Sequence, residues 1–327
     1  MEKIAVVRRN GLGDLLCAYP LILYLQKKWG ASVTLFVDQR NAPLIPYLPP
    51  VEEVAIFPAK GFKYGNMLRM AWRYRKRFAT AISAKTSPMK LMNFFLFCLG
   101  AEKRIAYVDQ TWSKLFINHP LPYDPEIAKT QHQALKGLKI VEPALQEVPE
   151  EFYPKLHVPQ VIRERYPVPK DLNRPVVLVS ATTTRPASRF DPARYAPLLN
   201  RLHKLFPFSV LITGQKNDRV RAEAIAAGLH MEHHVHFPRN FDEFMILLDA
   251  SDLFFVGDGG VAHIGAALGK RGVVLYGETN PVEWSPLSKR MKTFYHPEHV
   301  NYLNDEAIFQ ALNENINKVR DCGRDNL

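Results

Sequence analysis

The segment Gly257-Asp258-Gly259-Gly260-Val261-Ala262-His263 carries the densest chemical signal in this chain. An apolar run, residues 253–256, leads into it and helical spacing over 261–268 follows, so its glycines fall at a strand-to-helix turn. A helix start leaves N–H groups unpaired and carries partial positive charge, which suits a phosphate. Glycines let the backbone come close to such a group. Asp258 is repelled by phosphate, so it either accepts hydrogen bonds from sugar hydroxyls or caps the helix. His263 stands equally open as a ligand contact or a residue of the domain core.

Similar signals recur at other strand ends. Ser180-Ala181-Thr182-Thr183-Thr184-Arg185 follows the apolar run 176–180, with Arg189 four residues on. Hydroxyls and a guanidinium together suit an anion, and an ordinary threonine-rich loop is the alternative. Gly214-Gln215-Lys216-Asn217-Asp218 follows the next run, and Asp218 there suits the hydroxyls of a ribose or the cap of a helix. Near the start, Gly11-Leu12-Gly13-Asp14 places a carboxylate at a turn, as a general base or a helix cap. Gly11 and Gly13 are not the dinucleotide fingerprint, because position 16 is Leu16, and no Walker lysine motif occurs. His230, His233, His234 and His236 lack the helical spacing of a zinc site, and no Asp-x-Asp pair is present, so no metal is expected.

The elements that must hold these residues alternate. Residues 4–7 and 33–37 form strands around a helix at 15–29. Strands at 54–57 and 80–82 and a helix at 90–99 continue the pattern. After a proline-rich stretch, placed as a linker over 150–172, strands at 176–180, 209–213, 235–237, 253–256 and 272–276 alternate with helices at 192–206, 218–227, 241–250 and 261–268. Such alternation implies parallel sheets covered on both faces, and ligands bind at the carboxyl ends of such strands. A length of 327 residues suits two domains.

Charge is unevenly shared. Residues 1–160 hold 22 Lys and Arg against 13 Asp and Glu, and the remainder 21 against 19. Residues 60–114 hold 12 basic residues and only two acidic ones, Glu102 and Asp109. This block attracts polyanions, or is a solvated basic helix face. Three cysteines, Cys17, Cys98 and Cys322, are too few and scattered for a disulfide framework. Met1-Glu2-Lys3 runs straight into a strand without a secretory pattern, and residues 91–99 fall short of the roughly 20 a spanning helix needs. A cytoplasmic protein is expected.

Four of these segments together resemble glycosyltransferase family 9, the ADP-heptose:lipopolysaccharide heptosyltransferases. They are Val7-Arg8-Arg9-Asn10-Gly11-Leu12-Gly13-Asp14, Ala250 through His263, Ala266-Ala267-Leu268-Gly269-Lys270, and Leu275-Tyr276-Gly277-Glu278-Thr279-Asn280-Pro281. The resemblance implies an α/β protein of GT-B type, two Rossmann-like domains with parallel sheets facing a central cleft. Residues 1–160 are then an acceptor domain and 172–304 a donor domain, with a last helix over about 305–327 that can pack back on the first.

It also implies an inverting, metal-independent transfer of heptose from ADP-L-glycero-D-manno-heptose to a Kdo or heptose of the lipopolysaccharide inner core, without a cofactor. Asp14 takes the place of the general base. Thr182, Thr183, Thr184 and Arg189 fall at the donor phosphates, Asp218 at the ribose, and Asp258, Gly259, Gly260 and His263 at the pyrophosphate and sugar. The expected partners are ADP-heptose, the anionic lipid A–Kdo core and the inner-membrane surface, with no nucleic acid, and the chain is read as a monomer. Two departures bear on the donor: Gly259 stands where the family has threonine, and Gly277-Glu278-Thr279 where it has Gly-Pro-Thr. Another sugar nucleotide, a sugar-nucleotide epimerase and a nucleic-acid binder are the competing readings.

Overall fold

Buried runs of Val, Ile, Leu and Phe set the strands of this chain. β2 is buried at every residue, as a central strand covered on both faces must be. A computed structural model describes residues 1–59, 62–109, 111–166, 174–183 and 185–324 and resolves into two units, Met1–Pro154 and Lys155–Leu327. The first unit runs β1 (Lys3–Arg8), α1 (Leu12–Trp29), β2 (Ser32–Asp38), β3 (Glu53–Phe57), α2 (Lys63–Arg73), β4 (Thr80–Ser83), α3 (Lys90–Leu99), β5 (Lys103–Val108), β6 (His119–Pro122), α4 (Pro125–Lys129) and α5 (Gln133–Leu138). The second runs α6 (Gln160–Arg165), β7 (Val176–Ser180), α7 (Pro192–Leu205), β8 (Ser209–Thr213), α8 (Arg219–Ala226), β9 (His233–His236), α9 (Phe241–Ala250), β10 (Leu253–Gly257), α10 (Gly260–Ala267), β11 (Arg271–Tyr276), α11 (Pro281–Trp284), β12 (Met291–Tyr295) and α12 (Asp305–Arg324).

Each unit holds a six-stranded sheet, in the orders β3-β2-β1-β4-β5-β6 and β12-β11-β10-β7-β8-β9. Every pairing is parallel. The order reverses between β1 and β4 in the first sheet and between β7 and β10 in the second. Crossovers leave the sheet in opposite directions at such a point and open a crevice beyond the strand ends. The Asp14 turn follows β1, while the threonine loop and the glycine loop follow β7 and β10. All three therefore sit at switch points.

Helix boundaries follow local chemistry. α1 starts after Gly11 and stops at Gly30, which adopts φ +60 with its N–H on the carbonyl of Leu25. α3 stops in the same way at Gly100, φ +65. β6 does not read as a strand, because His119-Pro120-Leu121-Pro122 offers two residues without an N–H. It forms at the sheet edge, pairing β5 alone, where that loss is tolerated.

The stretch read as a linker divides. From Lys155 onward it belongs to the second unit, since Val158 is buried, Leu156 N–H donates to the Ala267 carbonyl at 2.9 Å, and Arg163 pairs with Asp249 at 2.8 Å. Residues 167–172 of that stretch lie outside the described residues. The last helix, read as free to return to the first domain, is built into the second unit. Ile308, Phe309, Leu312 and Ile316 of α12 join the core of β7, β8 and β10. Arg194 of α7 grips Asp305 at 2.5 Å, and Arg201 pairs with Glu306.

Candidate active site

In the first unit Asp14 occupies the first turn of α1. Its Oδ2 accepts the Gly11 N–H at 3.2 Å, so it does cap the helix, and its Oδ1 accepts from the guanidinium of Arg8. Arg8 is the last residue of β1 and is almost fully buried. Its Nε donates to the Asp14 carbonyl at 3.0 Å and its Nη1 to the Ala84 carbonyl beyond β4 at 2.9 Å. Burial pulls the Arg8 pKa down, against the attraction of Asp14. The geometry therefore ties the carboxylate to two neighbouring strand ends and leaves its side chain about 20% exposed, open to a substrate. Gly13 is the second residue of α1.

Two lysines share this neighbourhood. Lys85 follows β4, and burial, with Arg8 nearby, lowers its pKa. Lys136 is buried and donates to the Ala128 carbonyl at 2.7 Å. Cys17, one turn beyond Asp14, is buried deeply enough to push its thiol up to about 12, so it stays protonated. Arg8 went unassigned from sequence. The signal was a charged residue closing an apolar strand, where burial demands a partner.

In the second unit four strand-end loops touch one another. The Thr182 hydroxyl donates to Asp218 Oδ2, and the Gln215 N–H reaches both Thr182 Oγ1 (3.0 Å) and Asp218 Oδ2 (2.9 Å). The loops after β7 and β8 are thereby locked together, and Asp218 caps its own turn as well. Thr183 Oγ1 is buried with no hydrogen-bond partner among the described residues. A buried hydroxyl left unpaired costs free energy and marks a place for a ligand. Thr184 lies outside the described residues.

The glycine loop after β10 packs on the threonine loop. A Cβ at Gly257 would lie 3.2 Å from the Ser188 carbonyl, and one at Gly277 would fall 2.2 Å from that of Ala187. Gly277 requires glycine, and Gly257 packs more tightly than an ordinary Cβ contact. Ser188 Oγ accepts the Gly277 N–H at 3.2 Å. Gly259 has φ +156, a conformation for residues without a side chain, and Gly260 begins α10. A threonine at 259 would be strained, which accounts for glycine there in this chain. His263 is buried within α10.

Asp258 accepts from the Thr279 hydroxyl at 2.5 Å and faces Arg185 Nε at 3.5 Å. Burial raises its pKa, and the Thr279 bond and Arg185 oppose that while Glu278 adds to it. Arg185 also approaches Glu278 at 3.8 Å. Arg185, and not Arg189, is thus the guanidinium drawn to the glycine loop. Arg189 is exposed and its side chain has no carboxylate partner among the described residues. Arg185 and Thr279 stand in segments the sequence reading quoted, but only the folded loops show which atoms they meet. His236 of β9 is paired with Glu243 at 3.0 Å, a satisfied structural contact.

Comparison with known proteins bears on the family and the fold. The family model for glycosyltransferase family 9 (heptosyltransferase) matches residues 75–310. Lipopolysaccharide heptosyltransferase 2 of Escherichia coli strain K12 is 25% identical over 321 residues, 90% of this chain and 89% of that protein. Among solved structures, the glycosyl transferase family 9 protein of Veillonella parvula DSM 2008 superimposes with TM-score 0.80 at 15% identity over 97% of both chains. The E. coli heptosyltransferase WaaC with ADP-2-deoxy-2-fluoro heptose superimposes with TM-score 0.71 at 16% identity, covering 96% of this chain and 99% of that one. Two parallel six-stranded sheets of GT-B type, with glycine and threonine loops at the second switch point, therefore coincide with a family match across most of the chain: the protein is a glycosyltransferase and belongs to family 9, the heptosyltransferases.

Proposed function

We propose that the chain transfers a heptosyl group from ADP-L-glycero-D-manno-heptose to a Kdo or heptose of the lipopolysaccharide inner core, with inversion and without a metal ion. The observation that carries this reading is the set of loops after β7, β8, β10 and β11, cross-bonded to one another and holding the unpaired buried hydroxyl of Thr183. The WaaC neighbour, whose ligand is an ADP-heptose analogue, supplies the donor class.

In this reading Thr183, the N–H groups of Gly259 and Gly260 and the start of α10 receive the diphosphate, with Arg185 and Arg189 as counter-charges. These cations and helix N–H groups take the developing charge that a divalent metal would otherwise meet. Asp218 offers its second oxygen to the ribose, and Asp258 with His263 faces the sugar. Asp14 accepts the proton of the acceptor hydroxyl as that oxygen bonds to the anomeric carbon. The bond to the diphosphate breaks and its electron pair leaves with ADP. Arg8 holds the Asp14 carboxylate in register and is a positioning residue. The acceptor is the phosphorylated lipid A–Kdo core, reached by a monomeric cytoplasmic enzyme peripheral to the inner face of the membrane, where the basic first unit favours acidic surfaces.

Gly259 in place of the family's threonine and the Arg185–Glu278 contact favour a second reading, a family member that takes a different sugar nucleotide. A mass-spectrometric screen pairing ADP-heptose and UDP-hexoses with defined core acceptors tests both. Heptosylated acceptor from ADP-heptose alone is the expected result, and a hexosyl product in its place overturns the donor assignment. Product analysis without acceptor separates a transferase from an epimerase, since only the latter alters the free sugar nucleotide.

A further inference from the structure

The first unit carries another feature, away from Asp14, that the reaction does not use. α2 and α3 lie together on one face of the sheet, and a groove of about 650 Å³ opens between their C-terminal halves. Leu68, Trp72 and Phe97 line it with apolar surface, and Arg69, Arg75 and Arg104 bring charge to it. α2 runs on into β4 and α3 into β5, so the groove sits where those strands begin. Asp14 follows the end of β1, at the opposite edge of the same sheet. The groove is therefore separate from the candidate active site.

Its apolar lining is turned to solvent. Trp72 is 74% exposed, Phe97 47% and Leu68 46%. The apolar surface continues beyond Phe97, whose ring lies 5.2 Å from Phe116, itself 5.4 Å from the exposed Trp112. Patches of this kind mark interaction sites. The charge around it has one sign. Arg69, Arg73, Arg75, Lys76 and Arg77 have no carboxylate partner among the described residues. Arg75 lies over the Trp72 ring at 5.6 Å, and Arg104 is fixed by bonds to the carbonyls of Phe116 (2.9 Å) and Ala101 (2.7 Å).

An apolar floor ringed by unpaired cations matches an amphiphile with an anionic head. Nucleic acid would satisfy the charge and could stack bases on Trp72 and Phe97, but it brings no aliphatic chain to fill the groove beside Leu68. A protein partner would have to set carboxylates at fixed positions against Arg69, Arg73, Arg75, Lys76 and Arg77 together, whereas an acidic bilayer presents mobile phosphates to all of them. Trp and Phe beside Arg and Lys are the pairing that settles a helix at a bilayer surface. We infer that this face docks on an acidic phospholipid bilayer, with one lipid phosphate between Arg69 and Arg75 and its acyl chain in the groove against Leu68, Trp72 and Phe97. The inference rests on the membrane-surface part of the proposed function and on none of its sugar chemistry.

The test is co-flotation of the full chain with vesicles of phosphatidylcholine containing phosphatidylglycerol, against phosphatidylcholine alone, with neither sugar nucleotide nor acceptor present. A result here is thus independent of the donor screen, which can fail or succeed separately. The wild type is expected to float with the acidic vesicles only, and less so as salt rises. Arg69→Gln and Arg75→Gln should each weaken partition about fivefold, and Trp72→Ser with Phe97→Ser about tenfold or more. Brominated acyl chains should quench tryptophan emission in the wild type and much less in Trp72→Phe. All these side chains are exposed, so unchanged melting temperatures are expected and establish that the variants fold. Equal flotation with neutral vesicles, full binding by the Trp72→Ser/Phe97→Ser variant, or salt-dependent RNA binding without vesicle binding would each overturn the inference.

Discussion

At the carboxyl edge of the first sheet, the polar machinery around Asp14 rests on one nearly buried arginine that reaches two strand ends. At the carboxyl edge of the second, four loops hold one another through hydroxyls, backbone groups and a glycine, Gly277, that admits no Cβ. The first arrangement fixes a single carboxylate by charge. The second shapes a concave surface by backbone packing. A reacting proton acceptor needs one atom in place, whereas a diphosphate needs many donors at once. The first edge should thus be sensitive to charge and the second to volume.

The largest effect expected from that contrast is at Asp14. Asp14→Asn keeps size and, with its one oxygen, the helix cap, but gives up the Arg8 bond along with the proton acceptor, so kcat should fall by about 10²–10⁴ while donor affinity, measured calorimetrically, stays unchanged. Turnover close to wild type would take Asp14 out of the chemistry and erase the contrast. Next comes Gly277→Ala, where the new Cβ meets the Ala187 carbonyl. Loss of about 1–3 kcal/mol in urea unfolding is expected, with donor binding weakened at least tenfold. An unchanged donor Kd would show that the threonine loop does not depend on this packing.

A smaller effect, with a pH signature, is expected at Asp258. Burial raises its folded pKa above the unfolded value, so its ionisation opposes folding. That penalty is absent below the unfolded carboxylate pKa, grows between the two values and is complete above the folded one. Asp258→Asn should therefore raise the melting temperature at neutral pH, lose that gain on acidification, and weaken donor binding about tenfold. A melting temperature lowered at neutral pH would contradict the burial argument. The mildest change is Thr183→Val. Replacing an unpaired buried hydroxyl by a methyl should leave stability within about 1 kcal/mol while donor affinity falls several-fold. Equal donor affinity would mean that the hydroxyl meets no ligand.

Much of the fold was legible because parallel strands buried on both faces leave continuous apolar runs, as at Val176–Ser180 and Ser209–Thr213. Helices with clear stops, such as Lys90–Leu99 before Gly100, were equally plain. β6 was not, since its prolines belong to an edge strand that only its neighbour reveals. The packing of α12 on the second unit was not legible for a related reason. Its amphipathic face declares that something covers it, and the identity of the cover depends on contacts more than a hundred residues distant.

The candidate site divides along the same line. Sequence alone determined which residue types stand at strand ends: Asp14 after Gly11 and Gly13, the threonines after β7, and Asp258 with its glycines after β10. Spacing along the chain is a local property, and turns between strand and helix are set locally. Only the tertiary structure decided which of these groups meet. It tied Arg8 to Asp14, drew Arg185 to Asp258, spent one oxygen of Asp218 on Thr182, and left Thr183 unpaired. Those outcomes depend on which strands become neighbours, and neighbouring strands in a switched parallel sheet come from distant parts of the chain.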